Sequence, residues 1–368
     1  MTPLGARIAA LIAEAGPITV ADYMAMCLGD PEHGYYMARE PFGRGGDFVT
    51  APEISQVFGE LIGLWAVAAW MAMGAPPSVA LVELGPGRGT LMADLLRAAR
   101  VRPAFREAAA VHLVESSPRL RAVQEATLAG QAVTWHAAID TLPPGPSIVV
   151  ANEFFDALPI RQYARTGGGW AERMVGLDGE GRLAFGLRPA GGASPSPALA
   201  LPEAGREGEP ILEVSPAATA IMAALAARIA RDGGALLAID YGYEGPAFGD
   251  TLQAMRRHAF VDPLADPGEA DLTAHVDFAA LARAASEGGA RPRPLLTQGA
   301  FLTRLGIGTR AARLAAGKDA GAAAAIAAAV RRLTAPEAMG TLFKVLAVAH
   351  SGLAALPAFD HDERTDGA

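Results

Sequence analysis

The stretch LVELGPGRGTLMADLL, residues 81–96, constrains this chain more than any other. An apolar run leads into glycines at 85, 87 and 89 and then directly into an amphipathic helical pattern. Glycines at such a turn supply positive φ and let the backbone approach another group closely, which a Cβ would prevent. From Ser78 onward the short apolar runs SVALVEL, AVHLVES, QAVTWHA and SIVVANE alternate with helical segments. That alternation predicts an α/β fold, a Rossmann-like parallel sheet covered by helices on both faces, with an N-terminal helical segment and helical and hairpin insertions.

Around that sheet the chain divides by pattern. Residues 1–76 read as a helical segment, with helices over Leu4–Ala15, Thr19–Leu28 with Thr19 as N-cap, and Ser55–Met73. The long loop DPEHGYYMAREPFGRGGDFVTAPE lies between the last two and is a candidate lid, since loops of that length in compact domains are often functional. Residues 77–249 form the core, with antiparallel hairpins and a Pro-, Gly- and Ala-rich loop inserted at about 161–210. Residues 250–339 are expected to be a mainly helical insertion, 340–357 a final core strand, and 358–368 a frayed tail.

Composition narrows the function classes. Hydrophobic residues make up 51% of the 368 and charged ones 19%, so the chain can bury a sizeable core. The net charge of -8 provides no uniform basic field, which argues against non-specific nucleic-acid binding. Cys27 is the single cysteine, so neither an intrachain disulfide nor a cysteine-rich zinc site is available, and a reducing compartment fits. The histidines show no HExxH or similar spacing, and no metal is expected. The start MTPLGARIAALIAEAG reads as a first helix rather than a secretory signal. The longest apolar stretch, Leu61–Ala75, falls short of the roughly 18 residues of a membrane span and reads as a buried helix. No membrane insertion and a bacterial, cytoplasmic setting are the expectation.

The ligand reading starts at the turn. Its GxGxG spacing, with Glu83 two positions before Gly85, departs from the GxGxxG dinucleotide turn and carries no P-loop lysine. It favours S-adenosylmethionine, held along Glu83, Gly85, Pro86, Gly87 and Gly89; the alternative is a tight structural loop. Glu115 ends the following strand, where a carboxylate can accept from both ribose hydroxyls or simply cap a helix. Trp135 and His136, after the third strand, fall where an adenine would lie, although Trp135 equally suits the core. The fourth strand ends in Asn152 and Glu153, followed by Asp156. Ligands gather outside the carboxyl ends of such strands, so these three are the candidate catalytic groups, with turn capping as the competing role. Further candidates for a substrate wall are Asp47 and Thr50 in the lid, Tyr241 and Tyr243 after IDYG, and His275 with Asp277, each of which could also be structural.

Taken together, GYYMAREPFGRGGDFVTAPEISQVFGELIG, LVELGPGRGTLMADLL, VVANEFFDALPIRQY, GDTLQAMRRHAF, DLTAHVDF and LFKVL resemble the MidA-like family over about Gly34 to Leu346. The mitochondrial member of that family is a complex I assembly factor and protein arginine methyltransferase. The resemblance implies an S-adenosylmethionine-dependent methyltransferase whose partner is a protein substrate of the complex I matrix-arm type. Glu153 resembles the first glutamate of the acidic loop in arginine methyltransferases, whereas Asp156 as second acid departs from the two-glutamate pattern. Two other readings stay open: a methyltransferase acting on a small molecule, and an assembly chaperone that binds the cofactor without turnover. A nucleotide-binding oxidoreductase is disfavoured by the glycine spacing.

Overall fold

The computed structural model describes residues 1–38, 50–167, 169–191, 195, 211–245 and 247–360. They fall into two compact units, each assembled from segments distant in sequence.

The larger unit comprises 49–154, 222–242 and 281–368. Its sheet contains β1 (Val79–Leu84), β2 (Ala109–Val114), β3 (Val133–His136), β4 (Ser147–Asn152), β5 (Gly234–Tyr243) and β6 (Phe343–Ala349). The spatial order is β6-β5-β4-β1-β2-β3, with a two-residue strand at Arg291–Pro292 beyond β6. All neighbours are parallel except β6, which runs antiparallel to β5. Every residue of β1 and β4 is buried, as continuous apolar strands covered on both faces must be. The chain steps from β1 outward to β2 and β3, then returns to place β4 on the other side of β1. This reversal makes the carboxyl ends of β1 and β4 the switch point at which open α/β sheets bind ligands.

The apolar run flagged in the sequence forms the helix Gln56–Ala72, which is buried nearly all round through Phe58, Leu61, Ile62, Trp65, Ala66 and Ala69. It packs into the same core as β1, β4, β5 and β6. No helix among the described residues is long and apolar enough to cross a membrane.

The second unit comprises 1–48, 155–221 and 243–280. Helix Pro3–Ala15 buries Leu4, Ile8 and Ile12 at helical spacing, starts on a Thr2 cap with proline at its first position, and stops at Gly16 with φ 87°. Helix Val20–Gly29 begins on a full capping box between Thr19 and Asp22. The expected hairpins form as Arg161–Thr166, Gly169–Leu177 and Leu183–Pro189, joined by Ile211–Val214.

Two sequence expectations are corrected. Residues from about 253 to 277 are strands rather than helix: Gln253–Arg256 pairs with Ala259–Val261 and with Asp271–Thr273 in a separate small sheet. Their runs are too short for a 3.6-residue period to be distinguished from alternation, and helix begins only at Phe278. The N-terminal 76 residues also do not form one body, since 1–48 and 49–154 belong to different units.

Candidate functional site

The turn after β1 has the backbone that only glycine holds cheaply: φ is 59° at Gly85, 52° at Gly87 and 80° at Gly89. Gly89 is the N-cap of helix Thr90–Ala98. Pro86 is buried within the turn while Gly85 is exposed, so the backbone opens to solvent at the end of a wholly buried strand. Glu83, in the strand that leads into the turn, is 3% exposed. Burial pushes its carboxyl up to about 8.

At the end of β2, Glu115 Oε1 accepts from the Ser117 N–H at 2.8 Å and Oε2 from the Gln124 side chain at 3.1 Å. Burial raises the Glu115 carboxyl above its ordinary range despite those bonds. Gln124, fully buried, is the hub that the sequence reading missed. Its Nε2 also donates to the Gly87 carbonyl at 2.8 Å, and its Oε1 accepts from Trp135 Nε1 at 2.9 Å. One amide thereby ties the glycine turn, the β2 carboxylate and the β3 indole together. The available signal was spacing: Ser117 caps helix Pro118–Thr127, and Leu120 and Gln124, four apart, form its buried face.

His136 separates from Trp135. Its ring nitrogens lie 3.0 Å from His112 Nδ1 and 2.9 Å from Thr141 Oγ1, so the ring braces β2 against β3 and the loop beyond. Burial lowers both histidine pKa values. In strands the side chains alternate between faces, which places Trp135 and His136 on opposite sides of the sheet.

At the end of β4, Asn152 donates from Nδ2 to Glu153 Oε1 at 3.0 Å. The same oxygen accepts from the Ala51 N–H at 3.0 Å. Glu153 has φ 50°, a left-handed conformation uncommon for a side chain of this size, and its N–H donates to the Ile239 carbonyl of β5 at 2.9 Å. Backbone held in such a conformation by surrounding bonds clusters at functional sites.

Thr50 is the N-cap position of the short helix Ala51–Ile54, with no side-chain cap bond. Within that turn Glu53, also missed, accepts from Thr90 Oγ1 at 2.6 Å, so residues 51–53 connect the start of the glycine-turn helix to Glu153. Asp240 within β5, fully buried, accepts from the Phe154 and Tyr241 N–H groups at 3.2 and 3.0 Å. The Tyr241 ring packs edge-on against Phe343.

The remaining predicted residues belong to the second unit or fall outside the description. Asp156 is buried there; its charge, with that of Asp271, raises the Tyr36 hydroxyl pKa, after burial as the main cause, and Tyr36 donates to Asp271 at 2.8 Å. Tyr243 is raised by burial and then by Asp277 and Glu213. Asp277 Oδ1 accepts from the Ala280 N–H and so caps the helix from Phe278, and the His275 N–H donates to Thr251 Oγ1. Asp47 lies outside the described residues.

A profile for S-adenosyl-L-methionine-dependent methyltransferases matches residues 61–294. The chain belongs to that family. It is 39% identical over 367 residues to the mitochondrial protein arginine methyltransferase NDUFAF7 of Danio rerio, covering 93% of this chain and 86% of the relative. The human protein of the same name is 39% identical over 84% of this chain and 75% of its own. A crystal structure of a superfamily member from Burkholderia thailandensis bound to S-adenosyl-homocysteine superposes with TM-score 0.85 at 33% identity, covering 97% of this chain and 94% of that one. This methyltransferase therefore uses S-adenosylmethionine, and its residues suit that group. Glu83 Oε2 and Asn152 Oδ1 are buried acceptors with no hydrogen-bond partner among the described residues, and the cofactor carries an ammonium and hydroxyls that can donate.

Proposed function

We propose that this methyltransferase acts on an arginine side chain of a protein, of the kind found in the matrix arm of respiratory complex I, in a bacterial cytoplasm. The observation that carries the reading is Glu153, a carboxylate on a left-handed backbone at the end of β4, in the same unit as the glycine turn. The protein arginine methyltransferase names of the relatives point the same way.

In this reading Gly85, Pro86, Gly87 and Gly89 carry the amino-acid end of the cofactor, with Glu83 and Asn152 as acceptors, Glu115 holds the ribose, and Trp135 flanks the adenine. The bound cofactor supplies a methyl group on a sulfonium. A guanidinium is cationic and its lone pair delocalised, so it must be oriented and relieved of a proton before it attacks. Glu153 would bind the guanidinium, aim one terminal nitrogen at the methyl and take up the proton that this nitrogen gives up. The Ala51 N–H and the Asn152 amide hold the carboxylate ready, which avoids reorganisation during the reaction.

The test is transfer of a radiolabelled methyl into a lysate from cells lacking this protein, with mass spectrometry of the labelled band. Label on an arginine of a complex I subunit supports the reading. Label on a small molecule, or binding of the cofactor with no transfer to any acceptor, overturns it.

A further inference from the structure

A cavity lies at the far end of the helix whose N-terminus is the glycine turn. It holds about 220 Å³ and is lined by Arg97, Arg100, Arg106, Gln131, Leu96 and Leu128, among others. The volume falls below the ~300–1,000 Å³ of pockets for drug-sized ligands, so an occupant must be small.

The charge in this cavity is unevenly balanced. Arg97 is neutralised by Asp94 at 2.6 Å and Glu60 at 3.3 Å. Arg106 donates from Nη2 to the neutral Gln131 Oε1 at 2.8 Å, while its Nη1 is buried and makes no hydrogen bond among the described residues. A buried N–H of a charged group is costly to leave without an acceptor, so such groups normally meet an ion or water. Burial, and then the neighbouring Arg100, pull the Arg106 guanidinium pKa down. Two guanidinium groups repel at this site, and no carboxylate in the described residues pairs with Arg100.

We propose that this cavity is a binding site for a phosphate dianion, either inorganic phosphate or a small phosphomonoester, held between Arg106 and Arg100. Two negative charges offset the two uncompensated cations, and a planar guanidinium matches adjacent phosphate oxygens in pairs. The Gln131 contact keeps the Arg106 fork fixed, and Leu96 and Leu128 give an ester's organic part an apolar wall. The helix Thr90–Ala98 links this cavity to the cofactor turn, with Gly89 at its opposite end.

The experiment is isothermal calorimetry of the full-length protein with inorganic phosphate, ionic strength held constant with chloride, in the wild type and in the Arg100→Gln/Arg106→Gln double variant. The expected result is saturable binding weakened at least tenfold in the double variant, with S-adenosyl-homocysteine affinity retained as the folding control. No saturable phosphate binding in the wild type, or equal binding in both proteins, overturns the proposal. Should the double variant fail to fold, Arg100→Gln alone, which disturbs no buried contact, is expected to weaken phosphate several-fold; unchanged affinity there also overturns it. A parallel titration with uridine 5′-monophosphate separates the sources: tighter binding assigns an organic phosphate, and equal or weaker binding assigns the free ion.

Discussion

The Gln124 amide spans from the Gly87 carbonyl, at 2.8 Å, to the Glu115 carboxylate, at 3.1 Å, so the glycine turn and the carboxylate after it are held in register by one side chain. Positioning within about 0.5 Å is what a binding constellation needs, and it comes from supporting bonds of this kind.

Gln124→Ala should therefore weaken S-adenosyl-homocysteine about tenfold, roughly 1.4 kcal/mol, although we assign Gln124 no direct contact with the cofactor. It should also lower the unfolding midpoint, because the Trp135 indole N–H loses its acceptor. Calorimetric titration with thermal unfolding checks both effects. Unchanged affinity in a folded variant would remove Gln124 from the site.

Glu153→Gln keeps the size and the acceptor for the Ala51 N–H but loses the negative charge. Turnover on a confirmed arginine acceptor should fall by about 10²-fold or more, with cofactor affinity within about twofold of wild type. Gly87→Val and Glu115→Ala should do the reverse and raise the cofactor dissociation constant. Wild-type turnover in Glu153→Gln would contradict the proposed acceptor role.

Glu83 gives a pH signature in the cofactor-free protein. Its carboxyl titrates at about 8 when folded, against 4.5 as the ordinary value, so between those two the native state binds a proton that the unfolded state has released. Stability from this group is present below pH 4.5 and is lost progressively as pH rises toward 8. Glu83→Gln should flatten that decline, read as the unfolding midpoint across pH 5 to 9. A parallel decline in both proteins would show that Glu83 is not its source.

Gly85→Ala faces two obstacles: a backbone at φ 59° and an added Cβ 3.0 Å from the Phe154 ring. Left-handed strain alone costs about 1–2 kcal/mol. Denaturant unfolding should register at least that loss, and Phe154 must shift to admit the methyl. A neutral effect would mean that the turn relaxes without penalty.

By itself the sequence determined the sheet, the glycine turn and the ends of its strands. Continuous apolar runs of four to seven residues interrupted by Gly85, Gly87 and Gly89 have few folded solutions, and polar residues that close such runs, Glu115, Asn152 and Glu153, fall at strand ends by register alone. Capping was legible for the same reason: Thr19 and its Asp22 partner are three residues apart. Short strands from Gln253 to Asp277 were not legible, because two to four residues carry no distinguishable period. Nor were long-range partnerships. Only the tertiary structure decided that Gln124 turns inward to Gly87, that Ala51 and Glu53 reach Glu153 and Thr90, that His136 pairs with His112 away from Trp135, and that Arg106 is left with a buried donor. These depend on which helix face packs on which strand, a property of the whole fold that no local spacing encodes.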